Sequence, residues 1–281
     1  MSTEENLSSL ISRTSLPLIT RDAFAKEYDK FVKALTRRVK AYLRDPNAEN
    51  VHRLRTTTRR LQAAFALLPK TARKHNKAQK AMVRVKKLMK VNASVRDQDI
   101  ILAKLSMYKH SPTFERLIAD LRKSRKSHLE QARELALSVQ KNPGLRVKSR
   151  TLPDSALQKR YNKVVRKVSS KINSELPIVR EDQSKVEELH IVRRDCKELR
   201  YVLEMSEFSR PPKQLVALRS WQELLGTIRD HDVMIAYLRG LNTSPEIQLA
   251  LNMETESRNN NYRKFVEASR ENPVSRFAVK P

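Results

Sequence analysis

The sequence predicts an all-α protein built from two related four-helix units. Three observations carry that prediction. Only three of the 281 residues are glycine, and long stretches rich in Leu, Ala, Lys, Arg and Glu favour helix propagation. Apolar residues recur at i, i+3 and i+4, and no sustained alternating Val/Ile/Thr run suggests a strand. Two segments of the first half also return, in the same order, in the second.

Residues 1–19 read as a loose tail. A helix then begins near Arg21, with Phe24, Tyr28, Phe31, Leu35, Val39 and Tyr42 on one apolar face. Pro46 breaks it, and a second helix spans about Ala48 to Leu68, where Pro69 ends it. A third runs from near Arg73 to about Tyr108. Ser111 and Pro112 supply an N-cap and a first-turn proline for a fourth, ending near Gln140. Residues 141–153 contain Pro143, Gly144 and Pro153 and show no period, so they read as a linker between halves 20–140 and 154–271. Four further helices are expected at about 154–175, 183–208, 212–240 and 245–270, with Pro211–Pro212 and Ser244–Pro245 as breaks and 272–281 as a tail.

The repeat is specific. At an offset of 138 residues His52 falls on His190, Arg55 on Arg193, Arg59 on Lys197, Leu54 on Val192, Leu61 on Leu199 and Phe65 on Leu203. At an offset of 133, "VRDQDIILAKL" (95–105) matches "IRDHDVMIAYL" (228–238) in its Arg, both Asp, Ala and final Leu. Two matching segments in one order point to a duplicated unit.

Charge narrows the function. The chain carries 58 Lys plus Arg against 31 Asp plus Glu, a net of +27. Such an excess repels itself in a compact fold unless an anionic partner neutralises it. Cys196 is the only cysteine, which excludes an internal disulfide and a cysteine-built zinc site and suits a reducing, cytoplasmic setting; its position near an apolar face predicts a buried, inert thiol. The first twenty residues lack the basic start and apolar run of a signal peptide, and no stretch has the apolar length of a membrane span.

The cations fall in rows. His52, Arg55 and Arg59 are spaced i, i+3, i+7, opposite Leu54, Leu61, Phe65 and Leu68; His190, Arg193, Lys197 and Arg200 repeat the row opposite Val192, Leu199 and Leu203. Small Ala63 and Ala66 extend the first row and leave room for a ligand or another helix. Lys26, Lys30, Lys33, Arg37, Lys40 and Arg44 line the first helix, Arg73, Lys77, Lys80, Arg84 and Lys87 the third, and Arg160, Lys163, Lys167 and Lys171 the fifth. A helix face selected for stability mixes Glu with Lys at i, i+4, because like charges there destabilise it. Unbroken cationic rows, one turn of about 5.4 Å between charges, suit a repetitive anion such as a phosphate chain. The two histidines have two readings: a donor to phosphate when protonated, or a hydrogen-bonded residue packed between helices.

The segments "VHRLRTTTRRLQAAFALL" (51–68), "VRDQDI" (95–100), "LHIVRRDCKELRYVLEM" (189–205) and "WQELLGTIRDHDV" (221–233) resemble the CHAD proteins, a histidine α-helical family, over roughly residues 21–270. The resemblance implies two four-helix bundles related by pseudo-twofold symmetry, with a basic surface or channel between them. It implies binding of inorganic polyphosphate, association with polyphosphate granules, and no established catalytic activity or cofactor. The implied ligands are His52, Arg55, Arg59 and Arg60 in one half and His190, Arg193, Lys197 and Arg200 in the other. Two positions depart from the family pattern: Ala93 stands for the small glycine that Gly226 keeps, and Lys197 stands for an arginine.

Asp97, Asp99, Asp230 and Asp232 need a separate explanation, since Asp is a poor helix-interior residue. One reading pairs them with nearby basic side chains that they orient; the other places a divalent metal beside phosphates. Residues i and i+2 diverge on a helix, which favours the first reading and no metal. "ETESR" (254–258) superficially matches the ExExK pattern of triphosphate tunnel enzymes but lies on a predicted helix, and no phosphate-binding glycine loop or catalytic triad occurs. The expectation is a non-enzymatic polyphosphate binder, with a metal-dependent polyphosphate or triphosphate hydrolase as a weaker alternative. A nucleic-acid binder is the other alternative. Aromatics at 5%, mostly on apolar faces, argue against base stacking and leave DNA or RNA as a weak competitor. A membrane-surface role would take apolar faces that the core requires.

Overall fold

A computed structural model describes residues 18–108, 111–141, 144–146, 152–206 and 213–271. The expected tails over 1–17 and 272–281, part of the linker and the Pro211–Pro212 break lie outside the described residues. Those residues form α1 (Arg21–Arg44), α2 (Ala48–Leu67), α3 (Lys70–Lys74), α4 (Asn76–Leu105), α5 (Pro112–Lys141), α6 (Asp154–Glu181), α7 (Val186–Leu203), α8 (Lys213–Arg239) and α9 (Pro245–Glu271), with no strand among them.

The helices start where the sequence offers caps. Thr20 Oγ1 accepts the Ala23 N–H at 3.3 Å, and Asn47 Oδ1 accepts the Asn50 N–H at 2.9 Å. Ser111 and Ser244 hydroxyls do the same for Thr113 and Ile247. Three boundaries differ from expectation. The non-helical backbone of His75 separates a short α3 from α4, so the third long helix starts at Asn76 rather than Arg73. α6 continues past residue 175 through exposed Pro177, because Leu176 and Val179 are buried beyond it. Tyr262 Oη donates to Val179 O at 2.8 Å, and Arg180 is anchored on Ser269 of α9, which holds this last turn in place. α7 stops at Leu203, where the turn over Glu204 to Ser206 is tied down by the Tyr161 and Ser206 hydroxyls 3.0 Å apart.

In the first half α1 packs on α2 and α5, α2 on α4, and α4 on α5; in the second, α6 packs on α7, α7 on α8 and α8 on α9. Across the halves α2 meets α7 and α6, and α4 meets α8. One apolar core runs through both, from Phe24, Tyr28 and Leu61 to Trp221 and Phe265. The Trp221 and Phe265 rings meet edge to face, centroids 6.0 Å apart. Each large side chain so buried contributes about 1.5–3 kcal/mol. A second cluster joins Ile100, Ile101 and Leu105 of α4 to Val233, Met234 and Leu238 of α8. Beside it Lys104 Nζ donates to Glu254 Oε2 at 2.7 Å, with His231 Nδ1 2.5 Å from the same oxygen and Tyr108 Oη donating to Oε1. Glu254, the first residue of "ETESR", is thus a buried helical ion-pair partner.

One residue of the expected linker belongs to the core. Leu145 is buried and its carbonyl accepts the Tyr28 hydroxyl at 2.9 Å. A Cβ on Gly144 would stand 3.1 Å from Lys77 O, so glycine permits this approach. Ile19, expected at the edge of the tail, is also buried, and its N–H donates to Gln158 of α6.

Candidate anion-binding face

The face is built where α2 crosses α7. Leu54 and Leu61 of α2 and Val192, Cys196 and Leu199 of α7 are buried on the core side. Cys196 is fully enclosed, and burial pushes its thiol far up, as an inert thiol requires. The cationic rows then lie toward the junction of the two helices.

Arg55 and Arg193 are each partly enclosed, and burial, then the charge of Arg59, pushes both guanidiniums down to about 10. Asp97 partly offsets this at Arg55 and Asp230 at Arg193. Both stay charged at neutral pH, so the shift expresses the cost of holding them there. Lys197 has less margin: burial, then Arg193, Arg59 and Arg200, push its ammonium down to about 7. Arg59 is lowered as well, chiefly by burial. Arg55 is braced by donating to Met89 O of α4 at 2.9 Å. His52 stands at the exposed edge of the row, and partial burial followed by the charge of Arg96 holds its ring below the usual range. The structure therefore brings together His52, Arg55, Arg59, Arg193 and Lys197, and adds Arg96.

Arg60 and Arg200 form a second group. Their guanidiniums lie over the Tyr201 ring, 5.5 and 4.9 Å from its centroid. Glu204 sits beside them, 3.9 Å from Arg60 Nε, 3.6 Å from Arg200 Nε and 3.9 Å from Arg219 Nη2. Arg60 also lines a groove of about 940 Å³ with Thr57 and with Lys26, Lys30, Lys33, Arg37 and Arg38 of α1. Lys30 is tied to Glu27 at 3.1 Å, and Lys40 is exposed but does not line this groove. On α4, Lys80 and Lys87 are exposed and Arg84 is half-buried. Two members of the expected rows serve another end: Arg73 Nε donates to Leu68 O at 2.8 Å and Arg160 Nε to Ala66 O at 2.9 Å. They satisfy the carbonyl end of α2, whose own last turn has no basic residue. The space beside Ala66 is thus taken by α6 rather than a ligand.

The aspartates orient arginines, two of which the sequence reading overlooked. Asp99 Oδ1 accepts from Arg125 Nε of α5 at 2.6 Å, and Arg125 also donates to Pro46 O at 2.8 Å. Asp232 Oδ1 accepts from Arg258 Nε of α9 at 3.0 Å, and Arg258 donates to Gln183 O at 2.9 Å. Arg125 and Arg258 stand at the 133-residue offset of the Arg-Asp segments, which is the signal that could have found them. Asp97 accepts from Arg229 at 3.3 Å, linking α4 to α8. Asp230 remains near Arg193 and Lys197, where its charge favours their protonation. His190 Nε2 donates to Asp232 Oδ2 at 2.9 Å. Burial raises the Asp232 carboxyl, but the His190 and Arg258 hydrogen bonds outweigh it and hold the carboxyl below its usual range. Among the described residues no group of three or more His, Cys, Asp or Glu could hold a metal ion, and no helix is long and apolar enough to cross a membrane.

A family model for the CHAD domain matches residues 28–239. The chain belongs to the CHAD family. Solved structures of low sequence identity share the fold, two of them as follows. One is the CHAD domain from the plant Ricinus communis, 18% identical, covering 94% of this chain and 91% of that one, with a TM-score of 0.61. The other is PptA from Streptomyces chartreusis, 13% identical, covering 90% of this chain and 98% of that one, with a TM-score of 0.59. No curated protein matches. The CHAD match runs from within α1 to the end of α8 and so includes both cationic rows and both Arg-Asp segments.

Proposed function

We propose that this CHAD protein binds inorganic polyphosphate, without turning it over, along the cationic face where α2 meets α7. One observation carries the reading: Arg55, Arg193 and Lys197 are held partly buried beside one another, each with its charged form disfavoured. A fold keeps like charges in low dielectric at a cost, and a phosphate chain offsets that cost on binding. The rigid forks of Arg55 and Arg193 match phosphate oxygens, and burial strengthens each contact. The groove of α1 gives a long chain a further cationic track toward Arg60.

Nucleic acid is the second reading. Phe24, Tyr28, Tyr42, Tyr161, Trp221 and Phe265 are all buried, so none of them is available to stack on a base. Phosphate charge alone still gives DNA or RNA a weak, salt-sensitive affinity.

The test is a titration of long polyphosphate against DNA of equal phosphate content at moderate salt. Polyphosphate is expected to bind at least about tenfold more tightly, a difference of about 1.4 kcal/mol; equal or stronger DNA binding overturns the preference. The double variant Arg55→Gln with Arg193→Gln is expected to lose about 100-fold in affinity, from two charged hydrogen-bond sets. It should gain about 1 kcal/mol in stability, because two like charges leave a partly buried site. Loss of stability in thermal denaturation would place both arginines among the scaffold residues instead. Incubation with Mg²⁺ or Mn²⁺ should release no phosphate.

A further inference from the structure

We infer that Glu204 is a built-in competitor for phosphate, occupying an anion subsite formed by Arg60, Arg200 and Arg219 until a phosphoryl unit of the chain displaces it. The inference rests on the polyphosphate reading and adds to it a third arginine and a carboxylate that sets the affinity.

Glu204 is an unexpected residue at its position. It is the C-cap of α7, where the negative end of the helix dipole disfavours a carboxylate. The corresponding position of the first half is Ala66, at the 138-residue offset. Three guanidiniums from three helices compensate its charge: Arg60 from α2, Arg200 from α7 and Arg219 from α8.

The compensation is incomplete in a way that points to a larger anion. All three nitrogen–oxygen separations, 3.6 to 3.9 Å, lie beyond hydrogen-bond range. The Nε atoms of Arg60 and Arg200 are buried and have no hydrogen-bond partner among the described residues. A buried donor left without an acceptor costs about 1–3 kcal/mol. One carboxylate thus supplies one charge to three cations and satisfies neither Nε. A phosphoryl group brings more oxygens, arranged in a tetrahedron, and can accept from several forks at once. The Tyr201 ring lies beneath Arg60 and Arg200 and holds their guanidiniums in orientation before any ligand arrives. Glu204 keeps 22% of its side chain exposed, so a ligand can reach it and the carboxylate can rotate out to water.

The place of the subsite gives it a use. Arg60 is shared with the α1 groove, while Arg200 is one of the charges acting on Lys197 in the α2–α7 row. A chain that runs from one to the other crosses Glu204. Short or weakly charged anions leave the carboxylate in place, whereas a polymer already held on both sides brings a phosphoryl unit to it at high effective concentration.

The test compares wild type, Glu204→Gln, Arg219→Gln and the double variant, with tripolyphosphate and long polyphosphate as probes and calorimetric titration as the readout. Glu204→Gln is expected to tighten both probes, with the gain about five- to tenfold for tripolyphosphate and smaller for the long chain, which displaces the carboxylate unaided. Arg219→Gln in the Glu204→Gln background is expected to remove most of that gain. Weaker binding by Glu204→Gln, or a lower melting temperature, would show that the carboxylate organises the arginines; unchanged affinity would show that no phosphate reaches the subsite. Either result overturns the inference while wild-type binding, and its loss in Arg55→Gln with Arg193→Gln, keeps the polyphosphate reading. Absence of binding by wild type and Glu204→Gln alike removes both.

Discussion

The same corner is built twice in this molecule and finished differently. In each half an arginine from the last helix of the unit grips an aspartate of the Arg-Asp segment and the carbonyl of the loop leading into the histidine helix. In the second half the free oxygen of that aspartate accepts from His190. In the first half Asp99 Oδ2 is buried with no hydrogen-bond partner among the described residues, and His52 stands exposed at the edge of the cationic row. The carboxyls respond in opposite directions: that of Asp232 is lowered, and that of Asp99 is raised because burial outweighs Arg125. One repeat uses its histidine to complete a structural network, and the other leaves it beside the cations. A duplicated sequence motif therefore does not have a duplicated role.

The largest expected break in this comparison is at the aspartates. Asp232→Asn should cost about 2–4 kcal/mol, because it weakens a buried carboxylate held by both Arg258 and His190. Asp99→Asn should cost less than half as much, since burial outweighs the Arg125 ion pair there and the substitution also removes that desolvation penalty. Urea denaturation of the two variants checks this, and equal losses would make the corners equivalent. The pH dependence has a matching sign. Asp232, lowered in the folded state, contributes stability above its unfolded pKa that is lost as pH falls through the lower folded value. Asp99, raised in the folded state, opposes folding when ionised, and that penalty is relieved as pH falls through its raised value.

The histidines separate next. His190→Ala should lower stability by about 1–2 kcal/mol, leaving Asp232 Oδ2 unpaired. His52→Ala should leave stability within about 0.5 kcal/mol and lower polyphosphate affinity a few-fold. Melting curves and titrations on both proteins decide it; the reverse assignment of effects would exchange the two roles.

A smaller effect concerns Lys197, whose ammonium is pushed down to about 7 in the free protein. Below that value it is already charged. Above it, binding a polyanion must take up a proton, so affinity should fall with rising pH by up to about tenfold per unit until the higher pKa of the complex is reached. Titrations in buffers of different ionisation enthalpy measure the proton. Lys197→Arg should abolish the uptake, and a pH-independent wild type would exclude it. The smallest effect tests the halves at Gly226 and Ala93. A Cβ on Gly226 meets nothing within 4 Å, so Gly226→Ala should stabilise α8 by about 0.5–1 kcal/mol. Ala93→Gly should cost α4 a similar amount. Destabilisation by Gly226→Ala would mean that the backbone there needs glycine for a reason other than packing.

Much of the fold was legible because helix formation and apolar periodicity are local. Leu54, Leu61 and Leu68, read off a 3.6-residue period, are buried, and the serine caps before Pro112 and Pro245 hold as expected. Boundaries set by distant contacts were not legible. The helix expected to end near residue 175 instead runs on through Pro177, because Val179 and Arg180 are fixed by α9. At the site, spacing grouped Arg55 with Arg59 and Arg193 with Lys197, as the structure does. Helical spacing could not find Arg219, whose partner lies on another helix, and Arg125 and Arg258 are visible only through the 133-residue repeat.

By itself the sequence determined the all-α class, the cationic excess and the recurrence of a histidine, arginines and paired aspartates, since each depends on residue type and near spacing. Only the tertiary structure decided which cations are left to a ligand. Arg73 and Arg160 are spent on the carbonyl end of α2, Arg125 and Arg258 on buried aspartates, and Arg60, Arg200 and Arg219 surround Glu204. The reason is electrostatic: a cation's availability depends on the acceptors within a few ångströms and on its burial, and both are set by helices distant in sequence.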